Sequence, residues 1–356
     1  MSRRRTASIL AGVLAIVSLL GGCASLLGGQ SATQVSPYSL RIVAGYVVPE
    51  DDRGIAAIGQ STLTEVSPVW YQPTESGQLV FASPEAQQSQ SELAAQTSAR
   101  RVAVVPAISN YVGGKWDGDL IHRLITDPRL RSAHVAAIVD LARSGQWAGV
   151  DLDYESLRAA DRDAYSAFVR DVATALHRAQ KKLTLTVHAK TAEPGDWSGA
   201  QAQDWQALGT SADEVRVMAY DYSTNSTPPG PIAPVAWVES VLNLAVAEVP
   251  RDKIVLGLGT YGYDWVDGEQ GQDLQWADAE ALAQENGVDV KWDAVSKSPW
   301  FEYTDDQDRS HTVWYENARS LKARLDLAAR YHVAGVALWR LGGEDPAIWG
   351  LMRGAP

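Results

Sequence analysis

The sequence predicts an α/β fold, a (β/α)8 TIM barrel carrying a small β-containing insertion between the seventh strand and the last helix region. Three observations predict it. Eight short β-branched or apolar runs recur along 356 residues, helix-length stretches with apolar residues three and four apart separate most of them, and three carboxylates gather at the end of the fourth run. Repeated strand and helix imply right-handed βαβ units in a parallel sheet, and eight units close into a barrel whose chemistry lies at the C-terminal strand ends. A hydrophobic share of 46% supplies one large core.

The first two dozen residues read as an address. Arg3, Arg4 and Arg5 precede an apolar run over residues 9–20 and then Leu20-Gly21-Gly22-Cys23, the parts of a secretory signal too short to span a bilayer as a stable helix. Its ending resembles the bacterial lipobox, which implies cleavage of residues 1–22, a lipid on Cys23, and an extracytoplasmic chain anchored to a bacterial membrane in the cell envelope. Residues 23–38, rich in Ser, Gly, Ala and Gln, read as a flexible tether. The barrel then fills 39–356.

Strands are expected at 40–48, 65–71, 102–108, 149–153, 183–187, 215–220, 254–261 and 333–338. The clearest helices are 133–143, 161–180, 235–249 and 318–331, and the Gln/Ser-rich stretch 83–100 has the Ala and Leu content of an exposed second helix. Residues 266–317 are too long for one loop and contain Val288-Asp289-Val290-Lys291-Trp292 and Thr312-Val313-Trp314, which read as the insertion, at the rim of the barrel mouth.

Charge and composition exclude several functions. With 31 basic against 43 acidic residues the net charge is −12, so no phosphate-neutralising surface and no nucleic-acid partner is expected. Such a chain is repelled by anionic headgroups, so membrane attachment falls to the lipid. Cys23 is the only cysteine, which excludes an intramolecular disulfide or a cysteine metal cluster. The six histidines lack metal-ligand spacing, and Gly257-Leu258-Gly259 lacks the third glycine and the helix of a dinucleotide site. No metal and no cofactor is expected, and nothing requires more than a monomer. Thirteen Trp and thirteen Tyr beside three Phe suit a carbohydrate groove, where a ring face stacks and a polar edge stays wet. Trp70, Tyr71, Tyr111, Trp116, Tyr222, Tyr261, Tyr263 and Trp265 follow expected strand ends and could line such a groove or fill the core; Trp147 and Trp237 are expected to pack, and His188, just beyond the fifth strand, is the one histidine expected near the mouth, in a structural role.

The chemistry concentrates in Asp151-Leu152-Asp153-Tyr154-Glu155. Period-two alternation puts Asp151, Asp153 and Glu155 on one face, into the barrel. Three acids so close cannot all ionise cheaply, so a proton is retained near neutral pH, as a glycosidase acid requires.

This segment resembles the fourth-strand signature of glycoside hydrolase family 18, the chitinase-like barrels. The resemblance extends in order through Gly45-Tyr46, Met218-Ala219-Tyr220-Asp221-Tyr222, Gly257-Leu258-Gly259-Thr260-Tyr261-Gly262 and Gly335-Val336-Ala337-Leu338-Trp339-Arg340. His311-Thr312-Val313-Trp314-Tyr315-Glu316 and the segment after Trp339 are similar to the spore-wall and cell-wall lytic branch. The resemblance implies hydrolysis of β-1,4 bonds after N-acetylglucosamine, with peptidoglycan the expected polymer, chitin the alternative, and a non-catalytic glycan-binding lipoprotein the rival. It implies Glu155 as general acid and base, and the substrate's own 2-acetamido group as nucleophile. Asp153 would hold the acetamido nitrogen, and Asp151 would share a proton or hydrogen bond with Asp153. Tyr220 and Asp221 would contact the acetamido group, and Trp339 would floor the sugar. Tyr46, Asn110, Met218, Tyr222 and Tyr261 are the other expected substrate contacts. Two departures stand out: the signature usually starts with an aspartate where this chain has Ala148, and the third-strand Ser-x-Gly-Gly of chitinases is replaced by Pro106-Ala107-Ile108-Ser109-Asn110-Tyr111. The first loss puts the proton-sharing relay in question.

Overall fold

The computed structural model describes Tyr38 and residues 40–353. The expected signal segment, Cys23 and, Tyr38 apart, the tether lie outside the described residues. Tyr38 itself belongs to the packed body: it is buried, and its hydroxyl donates to Asp326 at 2.7 Å.

Strand and helix alternate along the chain. In order come β1 (Ile42–Val47), α1 (Asp52–Ile58), β2 (Glu65–Pro73), α2 (Pro84–Arg100), β3 (Ala107–Ser109), α3 (Gly118–Thr126), α4 (Pro128–Ser144), β4 (Gly149–Asp153) and α5 (Arg162–Arg178). Then follow β5 (Lys182–His188), α6 (Ser198–Gln201), α7 (Trp205–Ser211), β6 (Glu214–Met218), α8 (Val235–Glu248), β7 (Ile254–Gly259), α9 (Trp276–Glu285), α10 (Ala318–Tyr331), β8 (Gly335–Trp339) and α11 (Ile348–Met352). β1 to β8 are parallel and closed: β1 pairs with β2 on one side and with β8 on the other, Gly45 facing Val66 and Leu338. The expected barrel is therefore observed.

Local chemistry sets the helix ends. Ser83 and Asp127 cap α2 and α4 by accepting backbone N–H bonds, each ahead of a proline whose missing N–H costs nothing there. Asn317 and Ser320 cap α10 reciprocally. In α5, Tyr165, Phe168, Val169, Val172 and Leu176 are buried, the three-and-four spacing that turns one stripe toward the sheet.

Two expected strands differ. The run over 102–108 is cut into Ala103–Val104 and Ala107–Ser109, with Pro106 between them, because proline has no N–H for the ladder. The run over 254–261 stops at Gly259. Thr260 donates its N–H to the Trp339 carbonyl at 2.8 Å and its hydroxyl to the Arg340 carbonyl at 2.7 Å, and Tyr261 opens a second sheet. That sheet is five-stranded and antiparallel, in the order Gln272–Gln275, Tyr261–Val266, Ser310–Tyr315, Ser298–Thr304, Lys291–Asp293. α9 covers it through Ala279 and Ala283 against Phe301, Val313 and Tyr315. Arg324 of α10 ties it to the barrel: the buried guanidinium reaches the Lys297 carbonyl (2.7 Å), Ser298 Oγ (2.9 Å), Glu316 (3.1 Å) and the Ala233 carbonyl.

The lower barrel interior is polar. Arg216 of β6 donates to Ser67 (2.6 Å), Glu65 (2.9 Å) and Glu214 (3.2 Å), and Lys182 joins the same two glutamates. Buried charges so deep persist because each is paired.

Candidate active site

β4 delivers the carboxylates. Asp151 and Asp153 point into the barrel and are buried, while Glu155, two residues past the strand end, keeps its side chain 19% exposed. Burial first, then the charge of Asp221, pushes the Glu155 carboxyl up to about 8. Asp153 is held well above the usual carboxylate range by burial and by the charges of Glu155 and Asp151. Its Oδ1 is buried with no hydrogen-bond partner among the described residues, which leaves a charge there uncompensated and favours the protonated form.

Asp151 is engaged elsewhere. Its oxygens accept from Thr184 (2.6 Å), Thr186 (2.9 Å) and Tyr46 (2.9 Å), and no hydrogen bond joins it to Asp153 among the described residues. The expected direct sharing with Asp153 is therefore replaced by a through-space charge effect. Ala148 stands just before β4, exposed and on the opposite parity to the three acids, so its lost carboxylate has no place in their ladder.

Around these acids lies a cavity of about 540 Å³ lined by Tyr46, Asp153, Glu155, Met218, Tyr220, Asp221, Tyr222 and Trp339. Tyr46 contributes its ring, edge-on to Trp339 at 5.5 Å; its hydroxyl is turned to Asp151. Asp221 sits at a left-handed φ of 61° and accepts from the Tyr261 hydroxyl and, at 3.5 Å, from that of Tyr263. Burial raises its carboxyl while these donors act the other way.

Two expected substrate contacts are not in the cavity wall. Tyr261 stands behind Asp221, and Asn110 is fully buried with both amide atoms on the Glu155 backbone, Oδ1 accepting its N–H at 2.8 Å and Nδ2 donating to its carbonyl at 2.9 Å. Trp70 and Tyr71 go into the core against α2, and Tyr263 and Trp265, on the second sheet's strand Tyr261–Val266, turn into the main core. Trp116, left open between groove and core, lines the cavity; Trp237, expected to pack, lines it too, tilted on Tyr222 at 5.5 Å.

On the β5 side only His188 was expected near the mouth. Thr186 and His188, two apart on β5, and Lys190, Thr191, Asp196 and Trp197 beyond it also line the cavity. Period-two alternation along 184–188 carried the signal for the strand residues, whereas the loop has no pattern. His188 Nε2 lies 3.9 Å from Glu155 Oε2, and burial lowers the imidazole to about 4, leaving it neutral in the neutral range. Room for this ring comes from Gly199, where a Cβ would lie 2.4 Å from Trp197 and 3.1 Å from His188 Nε2. No residue of the second sheet lines the cavity; its nearest contribution is through Tyr261 and Tyr263 to Asp221.

Comparison with known proteins supplies relatives for this arrangement. The family model described as glycosyl hydrolases family 18 matches residues 42–344. An uncharacterized glycosylase, YvbX, of Bacillus subtilis is 31% identical over 260 residues, covering 71% of this chain and 75% of the relative. The cortical fragment-lytic enzyme of the same organism is 29% identical over 261 residues, which is 72% of this chain but 61% of that enzyme's length. The crystal structure of a chitinase from Chromobacterium violaceum superposes with a TM-score of 0.82 at 30% identity, covering 88% of this chain and 98% of the chitinase.

Proposed function

Because the chain belongs to glycosyl hydrolase family 18, we propose that it hydrolyses β-1,4 bonds after N-acetylglucosamine by substrate-assisted retention, with peptidoglycan as its polymer. The observation that carries this reading is Glu155, its carboxyl pushed up to about 8 by burial, beside an Asp153 whose Oδ1 is unpartnered among the described residues, in one cavity with Tyr220 and Trp339. Glu155 gives its proton to the glycosidic oxygen as the bond to C1 breaks, and the acetamido carbonyl oxygen of the same sugar closes on C1. Asp153 accepts the acetamido N–H through a carboxyl oxygen, and the cyclic oxazolinium cation is balanced by the Glu155 carboxylate that the proton transfer leaves; the Tyr220 hydroxyl, whose pKa burial keeps high, donates to the carbonyl oxygen. Glu155, now ionised, takes a proton from water as that water opens the ring at C1, so the anomeric configuration is retained and the acid restored. Trp339 offers an indole face to the sugar's C–H surface.

The choice of peptidoglycan is supported by the cortical fragment-lytic relative; chitin is the second reading, favoured by the 30% identity to a chitinase over 98% of that protein. A lipid on Cys23 would hold the enzyme to a membrane of the cell envelope. The deciding experiment incubates wild type and Glu155→Gln with purified peptidoglycan and with chitin oligosaccharides and reads released ends by mass spectrometry. Expected are wall fragments ending in reducing N-acetylglucosamine, with a loss of at least about 100-fold in the variant. Cleavage of chitin alone selects the second reading, and binding without cleavage by both proteins selects a glycan-binding lipoprotein instead.

A further inference from the structure

The third-strand motif of chitinases is missing here, and Asn110 stands in its place with a different task. The ladder between β3 and β4 runs Ala107 to Asp151, Ile108 to Leu152 and Ser109 to Asp153, and then ends. It ends because β3 leaves the barrel: Tyr111–Val112 folds back on Lys115–Trp116 through Gly113 and Gly114, at φ of 61° and 82°. Glu155 thus lies two residues beyond the last paired residue, Asp153. Its own chain turns immediately afterwards, at Ser156 with φ of 51°. A backbone N–H and C=O at that point need partners when water is excluded.

The Asn110 carboxamide supplies both. It presents one acceptor and one donor in the plane of an amide, as a neighbouring strand would, and bonds the Glu155 N–H and carbonyl at 2.8 and 2.9 Å. The main-chain carbonyl of the same residue accepts the Asp117 N–H at 2.9 Å, closing the hairpin whose Trp116 lines the cavity. One fully buried residue therefore ties the acid to the aromatic wall.

We propose that Asn110 is the positioning residue of the general acid, a side-chain substitute for the missing strand that aims the Glu155 carboxyl at the glycosidic oxygen. This rests on the reading of Glu155 as that acid. A poorly aimed acid matters most when the leaving group needs a proton and least when it leaves unaided, which separates positioning from general damage.

The test compares the full chain with Asn110→Ala and Asn110→Asp on an N-acetylglucosamine oligosaccharide and on its 4-nitrophenyl glycoside. The alanine variant is expected to lose about 30-fold or more in kcat on the oligosaccharide, with KM within about twofold, and less than about fivefold on the nitrophenyl glycoside. Asn110→Asp, which keeps the acceptor and loses the donor, is expected between alanine and wild type; if the alanine variant does not fold, the aspartate variant carries the same comparison. Equal losses on both substrates, or an unchanged kcat, overturn the positioning role while Glu155 stands. Wild type inactive on both substrates and on purified peptidoglycan overturns the reading of Glu155 and this inference with it.

Discussion

At pH 7 a carboxyl held at about 8 is mostly protonated, and Glu155 owes this to burial and to Asp221. The rate should therefore fall as pH rises through about 8, a limb seen in kcat/KM against pH, which reports the free enzyme's acid. The same shift has a stability sign. Between the ordinary 4.5 and about 8 the folded protein keeps a proton that the unfolded chain releases, so stability declines as pH rises through that window. Glu155→Gln cannot ionise and escapes the decline. Its melting temperature should match wild type at pH 4 and exceed it by roughly a few degrees above pH 8; equal values at both pH values would contradict the shift. Asp151, Asp153 and Glu155 were legible in sequence because strand parity alone aligns them. The true partners of Asp151 were not, since Thr184 and Thr186 come from β5 and announce themselves only once the barrel closes.

Among the elements, the second sheet shows how one side chain can hold an appendage. Arg324 from α10 bonds carbonyls on either side of the seam and the buried carboxylate of Glu316. Arg324→Met should cost about 3–5 kcal/mol in urea unfolding, because Glu316 is left buried without its partner. Adding Glu316→Gln should recover much of that loss; no recovery would mean that the carbonyl contacts dominate. The strand and helix pattern placed most barrel elements, yet it missed the break at Pro106 and the early start of the second sheet at Tyr261. Both follow from hydrogen bonds made across the fold: one proline withholds a donor, and Thr260 turns to carbonyls at the end of β8. Pro106 itself stands in the sequence window, but the carbonyls that turn Thr260 lie about 80 residues away.

For the molecule as a whole, the order of motifs from Tyr46 to Trp339 made the barrel readable, while the part of the cavity wall from the loop after β5 was not, because no motif marks residues 189–197. Charge bears on the proposed attachment. A chain of net charge −12 gains nothing from anionic lipid, so a lipid on Cys23 would have to act alone. Cys23→Ser should move the protein from the membrane pellet to the soluble fraction, and wild type should stay in the pellet at high salt; a salt-released wild type would point to a charged contact instead. Closure has a further consequence, in the time domain of synthesis. β1 is flanked by β2 and β8, so the first strand to emerge waits for the last before its second edge is paired. Until the ribosome has released Gly335–Trp339, the sheet has two raw edges, on β1 and β7. A nascent chain of this kind remains an open ribbon for nearly its whole translation, and one that stalls late leaves an adhesive fragment in place of a smaller enzyme.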